Sequence, residues 1–389
     1  MKRLLPPLCL LLCLLLGGCS AAGAYSYSRA HVSAQTERDE TAINDRAELT
    51  DAIAVMVRAG VESDTLLISD YEGALDSDLE ELTAGLTERD PYGVYAVSSL
   101  VFKQVSILSR TELAVSIQYS RTAREIAAVA EAPTAEDLAL RITESLETFS
   151  AGGTFYLNNV SVSDPAGLVE KCWLQDPCAA VGLKSFAVAS YPEAGDTRIL
   201  DVTLEYLDTP AALRRMGQDV RRAAEAVCSE FSGETDREKA DFVYAYLRDN
   251  VIYDTDAMRV VSETGGRQAR TSLYTAYGAL LEGRAAQSGI ALAAGALCRQ
   301  LGLETMVLSG TLDGEPYVWL VVLLDGALMH LDVTSRQTAE ETPPAEGAPV
   351  PETPPEEAPD GAGEDYAYLL TLSEGRRRFS WDKRLYGVY

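Results

Sequence analysis

The chain has 389 residues, enough for two or three domains, and a formal net charge of −26. With 59 acidic against 33 basic residues, it is a poor electrostatic match for nucleic acid or anionic lipid head groups, and no nucleic-acid partner is expected. No basic cluster or interleaved aromatic stripe argues otherwise, so the acidity reads as a solvated surface.

The first stretch, MKRLLPPLCLLLCLLLGGCS, has a basic n-region (Lys2, Arg3) and an apolar h-region from Leu4 to Leu16. This is the pattern of a secretory signal peptide, over 1–18, and not of a spanning helix. Its end, Leu16-Gly17-Gly18-Cys19, resembles the bacterial lipobox. The resemblance implies cleavage before Cys19, lipidation of Cys19, and an extracytoplasmic lipoprotein held to the bacterial cell membrane by its acyl chains. The plainer alternative is an ordinary cleaved signal with a chance Cys. Residues 19–47 then form the lipidated Cys and a polar tether.

Of seven cysteines, Cys9 and Cys13 leave with the signal, and Cys172, Cys178, Cys228 and Cys298 remain in the body of the chain. Export permits disulfides, and Cys172 with Cys178 across CWLQDPC is the expected pair. The two histidines are His31 and His330, and no zinc-type spacing occurs, so neither a metal nor a cofactor is expected.

Residues 48–121 and 134–208 read as two α-β-α-β-β units of one duplicated module. The first runs from AELTDAIAVMVRAG through TLLIS and DSDLEELTAGL to the strands GVYAVSSLVFKQVSIL and TELAVSIQYS. The second runs from AEDLALRITESLETF through TFYLNNV and PAGLVEKCWL to VGLKSFAVASY and TRILDVTLEYL. Asp90-Pro91 and Asp176-Pro177 fall at matching places. Chance similarity of patterning is the alternative. A linker helix follows within 209–234, its Arg pairs forming a solvated face. Thr235-x-x-Glu238 is a capping box that opens a C-terminal domain over 235–389. Residues 340–365, rich in Pro and acids, read as a disordered insertion within that domain.

GRAAQSGIALAAGALCRQLG (283–302) predicts a buried helix ended by Gly302. Three strands follow, LETMVLSGTL, PYVWLVVLL and ALMHLDVT, joined by two-residue turns at Asp313-Gly314 and Asp325-Gly326. If the second turn sets the register, Leu324 faces Ala327, Val321 faces His330, and Tyr317 is the diagonal neighbour of Asp332. The middle strand is apolar on both faces and belongs inside a sheet.

A helix N-terminus followed by this hairpin resembles the transglutaminase-like superfamily, over about residues 235–389. Bacterial members of that family typically read G-x-A-x-C-x-G-[YF]-A, then H-[AS]-W-N, then Asp-Val-Thr. Here the stretches run from Gly283 through Gln287 and Ser288 to Ala291, then Tyr317-Val318-Trp319-Leu320, then Asp332-Val333-Thr334. The resemblance implies an α+β fold with a papain-like core, a helix packed on an antiparallel sheet, preceded by the duplicated module.

It also implies a cysteine triad, and the chain departs from it. Gln287 stands at the nucleophile position and Tyr317 at the base position; only Asp332, the orienting carboxylate, is kept. An amide is not a nucleophile, and a phenol is a poor base near neutral pH. The expected site is thus a degenerate triad. One reading makes Gln287, Tyr317 and Asp332 a hydrogen-bonded tie between helix and sheet. A sharper one keeps the old cleft as a peptide or protein site of the cell envelope, walled by Tyr317 and Trp319. An alternative is an active acyltransferase or peptidase rebuilt on Ser288, His330 and Asp332. Ser288 at a helix start is ordinarily a cap.

Overall fold

The computed structural model describes residues 42–107, 110–254, 271–334, 369–376 and 378–389. The expected signal peptide, Cys19, the tether up to residue 41 and the insertion at 340–365 lie outside the described residues. Among the described residues no helix is long and apolar enough to cross a membrane.

Helix α1 (Arg46–Ala59) starts at Asp45, whose side chain accepts from Glu48 N–H, and ends at Gly60 in the left-handed conformation (φ 66°). Strand β1 (Ser63–Ile68), helices α2 (Leu75–Glu88) and α3 (Pro91–Ala96), and strands β2 (Val97–Ile107) and β3 (Arg110–Tyr119) follow. Strand β3 lies between β1 and β2, antiparallel to both. The start of the expected strand at Gly93 is helical instead. Asp90 accepts from Gly93 N–H at 2.7 Å and Pro91 takes the first helical position, which outweighs the strand preference of Val94 and Tyr95.

After α4 (Ala123–Ala127) the pattern recurs as β4 (Ala130–Glu131), α5 (Ala135–Thr148), β5 (Gly152–Leu157), α6 (Pro165–Gln175), β6 (Leu183–Tyr191) and β7 (Arg198–Tyr206). The strand order is β4-β5-β7-β6, so the last strand is again central between the first and second long strands. Even the parallel contact before the first helix repeats: Ile43 bridges Ile68 as β4 pairs with β5. Helix α3 of the first unit packs on β6 and β7 of the second, with Tyr95 and Tyr191 ring centroids 5.4 Å apart and Arg121 4.8 Å above Tyr95.

Helix α7 (Pro210–Cys228) buries Leu213, Gly217, Val220 and Ala224 along one stripe and leaves Arg214, Arg215, Arg221 and Arg222 exposed. Helix α8 (Asp236–Asn250) carries the capping box of Thr235 and Glu238. The short strands β8 (Ile252–Tyr253) and β9 (Arg284–Ala285) pair in parallel just before helix α9 (Gln287–Gln300), which is buried on nearly every side. The sheet that follows contains β10 (Thr305–Leu312), β11 (Glu315–Leu324), β12 (Ala327–Leu331) and β13 (Leu369–Thr371). Helix α10 (Leu372–Gly375), strand β14 (Phe379–Trp381) and helix α11 (Lys383–Tyr386) end the chain.

The sheet order is β13-β12-β11-β10-β14, with β11 central, as its two apolar faces require. Both Asp-Gly turns have positive φ at both residues, 52° and 95° at Asp313-Gly314 and 49° and 81° at Asp325-Gly326. They set the expected register, Leu324 opposite Ala327 and Val321 opposite His330. Helix α9 covers one face, where Val307, Leu320, Val322 and Leu331 join a core shared with α7, α8 and the second repeat unit. The C-terminal stretch runs from β13 at one edge to β14 at the other and covers the opposite face. The fold is α+β, with the helix-on-antiparallel-sheet core that the resemblance implies.

The expected Cys172–Cys178 disulfide is not formed, and both residues are free thiols. Cys172 on α6 points its Sγ at Ala139 O of α5, 3.6 Å away. Cys178 lies beyond the helix end, its N–H bound to Asp176 and its carbonyl against Gly217 of α7. Different neighbours hold the two residues.

Candidate functional site

The tip of α9 is wedged under the chain that precedes it. Ala286 N–H donates to Leu273 O at 2.8 Å. A Cβ on Gly289 would fall 2.4 Å from that same carbonyl, so glycine is what lets the segment press on the helix. The residue before the helix is Ala286, which supplies no side-chain cap. Ser288 is therefore not the cap its position suggested. Its Oγ donates backward to Tyr274 O at 3.1 Å.

Gln287, the first residue of the helix, is 3% exposed. Its Oε1 accepts from the backbone N–H of Val318 on β11 at 3.0 Å, and its side chain also hydrogen-bonds the Tyr317 hydroxyl. The Tyr317 hydroxyl donates to Asp332 Oδ2 at 2.8 Å and lies 2.6 Å from Thr334 Oγ1. Thr334 closes the group, with its N–H and its Oγ1 each 3.0 Å from Asp332 Oδ1. Thr334 had no role in the sequence reading. The signal for it is the Asp-x-Thr spacing, which lets an aspartate side chain bind the backbone N–H two residues on.

Gln287, Tyr317 and Asp332, the three positions expected to correspond to a triad, are thus brought together, as a closed hydrogen-bonded group that ties α9 to β11 and to the end of β12. Burial raises the Tyr317 phenol well above its ordinary pKa, and the carboxylate of Asp332 adds to the effect. Burial likewise raises Asp332, against the hydrogen bonds from Tyr317 and Thr334. The amide of Gln287 and the raised phenol of Tyr317 are neither nucleophile nor base near neutral pH. Beside Gln287, Asp332 and Thr334 lies a void of about 10 Å³, room for one water at most.

Trp319 and His330 are in contact with each other, on the far face of the sheet. Trp319 is 1% exposed, and its Nε1–H donates to His330 Nδ1 at 2.8 Å. The His330 ring stacks on Phe379 at 5.0 Å and meets Trp381 edge-on at 5.3 Å. A Cβ on Gly375 would come within 2.1 Å of the imidazole. Burial lowers the His330 pKa to about 4, with Arg376 adding to the shift. Two expectations change here. Trp319 is not the wall of an open cleft but the centre of an aromatic core. His330 does not pair with Ser288 or Asp332, because it faces the C-terminal stretch and not the helix tip.

Among the described residues no cluster of His, Cys, Asp or Glu forms a metal site. No family model matches the chain, and no curated protein matches it. Solved structures do show likeness. One is described as a TGase, at 14% identity and TM-score 0.29, covering 57% of this chain and 63% of that one. A second is a proposed cysteine protease from Cytophaga hutchinsonii, at 11% identity and TM-score 0.24, covering 39% and 62%. A third is a proposed protease from Parabacteroides distasonis, at 10% identity and TM-score 0.23, covering 70% and 40%. This chain therefore spans less than two thirds of the length of each. At these identities and TM-scores the likenesses assign neither a family nor an activity to the chain.

Proposed function

We propose that this chain is a non-catalytic binding or scaffolding protein of the cell envelope, anchored through a lipid on Cys19, whose C-terminal domain is a transglutaminase-like domain without its chemistry. The observation that carries the reading is the bond from Val318 N–H to Gln287 Oε1. The residue at the nucleophile position spends its polar group on holding the helix to the sheet. Tyr317 and Asp332 spend theirs on each other and on Thr334. A substrate carbonyl would need space beside Gln287, and the void there holds one water at most. Any envelope ligand therefore binds on another surface of the molecule.

The rebuilt-enzyme reading has little support. The Ser288 hydroxyl is engaged with Tyr274 O, and His330 is sealed under Phe379 and Trp381. The test is an assay of amine incorporation and peptide hydrolysis by the chain starting at Ser20, beside its Ser288→Ala variant. The account expects no turnover above the variant. Turnover that disappears in the variant would overturn it.

A further inference from the structure

Helix α7 lies against α9, and both contribute to the same core. On α7 the buried stripe Leu213, Gly217, Val220 and Ala224 continues one turn on to Cys228. On α9, Ala294 and Cys298 form a second stripe at the same four-residue spacing, and both are buried. Small residues at a helix crossing let the two backbones approach closely. Cys228 Sγ reaches Leu297 O at 3.5 Å, the carbonyl immediately before Cys298. Cys172 and Cys178 have other neighbours, Ala139 on α5 and Asp176 with Gly217. Among the four described cysteines, Cys228 is the one whose Sγ is placed against the backbone beside another cysteine.

We propose that Cys228 and Cys298 form a disulfide that staples the linker helix to the central helix of the C-terminal domain. Both thiols are free in the structure. Oxidation needs a disulfide donor. The thiolate of Cys228, the more exposed of the two, attacks one sulfur of the donor, forms a mixed disulfide and expels one donor thiolate. The thiolate of Cys298 then attacks Cys228 Sγ and expels the second. The protein loses two protons and two electrons, and the donor is reduced to two thiols.

The acidity of the two groups fits a slow structural reaction and not a redox catalyst. Burial pushes the Cys228 thiol up to about 11 and the Cys298 thiol up to about 12, and Cys228 adds to the rise at Cys298. Exchange is then slow at neutral pH and faster in alkali. The closed loop is long, so the cross-link constrains the unfolded chain strongly.

Formation in the cell rests on the export read from the N-terminus; formation in the tube does not. The soluble chain starting at Ser20 is refolded from denaturant in a reduced–oxidised glutathione buffer at pH 8.5. Remaining thiols are then alkylated, and the peptides are mapped by mass. The expected result is a Cys228–Cys298 peptide pair two hydrogens lighter than the sum of its parts, with Cys172 and Cys178 alkylated. Its thermal midpoint should lie several degrees above that of the same protein under reductant, and this difference should vanish in Cys228→Ser. A Cys172–Cys178 link, or four alkylated thiols in folded protein, would overturn the proposal. If the link forms in the tube but is absent from protein isolated from envelopes under alkylation, the geometry stands and the export reading fails.

Discussion

The indole N–H of Trp319 donates to His330 Nδ1 at 2.8 Å, and this bond fixes which nitrogen of the imidazole carries its proton. Nδ1 is the acceptor, so the proton sits on Nε2. That nitrogen is buried, has no hydrogen-bond partner among the described residues, and faces Gly375 of α10. His330 is therefore held neutral, in one tautomer, inside an aromatic core. It belongs to the device that seals the C-terminal stretch over the sheet.

This burial has a pH signature. The folded pKa of His330 is depressed to about 4, from 6.5 in the unfolded chain. Its stabilising contribution is whole above the unfolded value and is lost as the pH falls from about 6.5 toward 4. The loss approaches about 3 kcal/mol at the acid end. Urea denaturation at pH 7, 6, 5 and 4 should show this decline in the wild type and a shallower one in His330→Phe. Parallel slopes in the two proteins would contradict it.

Asp332 gives the opposite sign. Its folded pKa is raised by burial, so its contribution is whole below the unfolded pKa and is lost as the pH rises through the folded one. Asn mimics the protonated acid in shape and neutrality. Asp332→Asn should lower stability near pH 5 by about 1 kcal/mol or less, and should flatten the decline toward pH 9. Denaturation series at both ends of that range test it.

Gly375→Ala should loosen the C-terminal stretch. The added methyl would overlap the His330 ring, which has no room to retreat between Phe379 and Trp381. Overpacking of this kind costs about 1–3 kcal/mol. Limited proteolysis should cut the variant within 369–389 at least several times faster than the wild type, while cleavage of the repeat units is unchanged.

A thiol placed at position 287 should not create chemistry. Gln287→Cys removes the bond to Val318 N–H and places a thiol in a void of about 10 Å³ with no imidazole beside it. The variant should be less stable by about 1–3 kcal/mol. Its new thiol should react with iodoacetamide at least ten times more slowly in the folded protein than in the unfolded one.

Much of this was legible in the residues. The Asp-Gly turns dictated the hairpin register, so Val321 opposite His330 could be read off before any coordinates. The unbroken apolar run from Ile290 to Leu297 announced a buried helix. The two repeat units showed their order of elements through helical and strand periodicity. What was not legible came from contacts distant in sequence. Phe379 and Trp381 land on Trp319 across the far face of the sheet, about 60 residues on, and no local pattern says which face they cover. The diagonal of Tyr317 with Asp332 was read from the register and the bond between them follows it, whereas the part Thr334 plays was not read. The Cys172–Cys178 pairing failed because short spacing in sequence does not align two side chains when a helix end lies between them.

The most direct test of the account is the stability of Tyr317→Phe. If Gln287, Tyr317 and Asp332 form a tie between helix and sheet, removing one hydroxyl leaves Asp332 and Thr334 short of a buried partner. The loss should be about 1–3 kcal/mol, a fall of several degrees in the thermal midpoint, with no change in any assayed turnover. A working site behaves differently, since residues kept for function are often replaced at no cost to stability or with a gain. An unchanged or raised midpoint in Tyr317→Phe, together with the loss of a measurable transamidase or peptidase activity, would contradict the account.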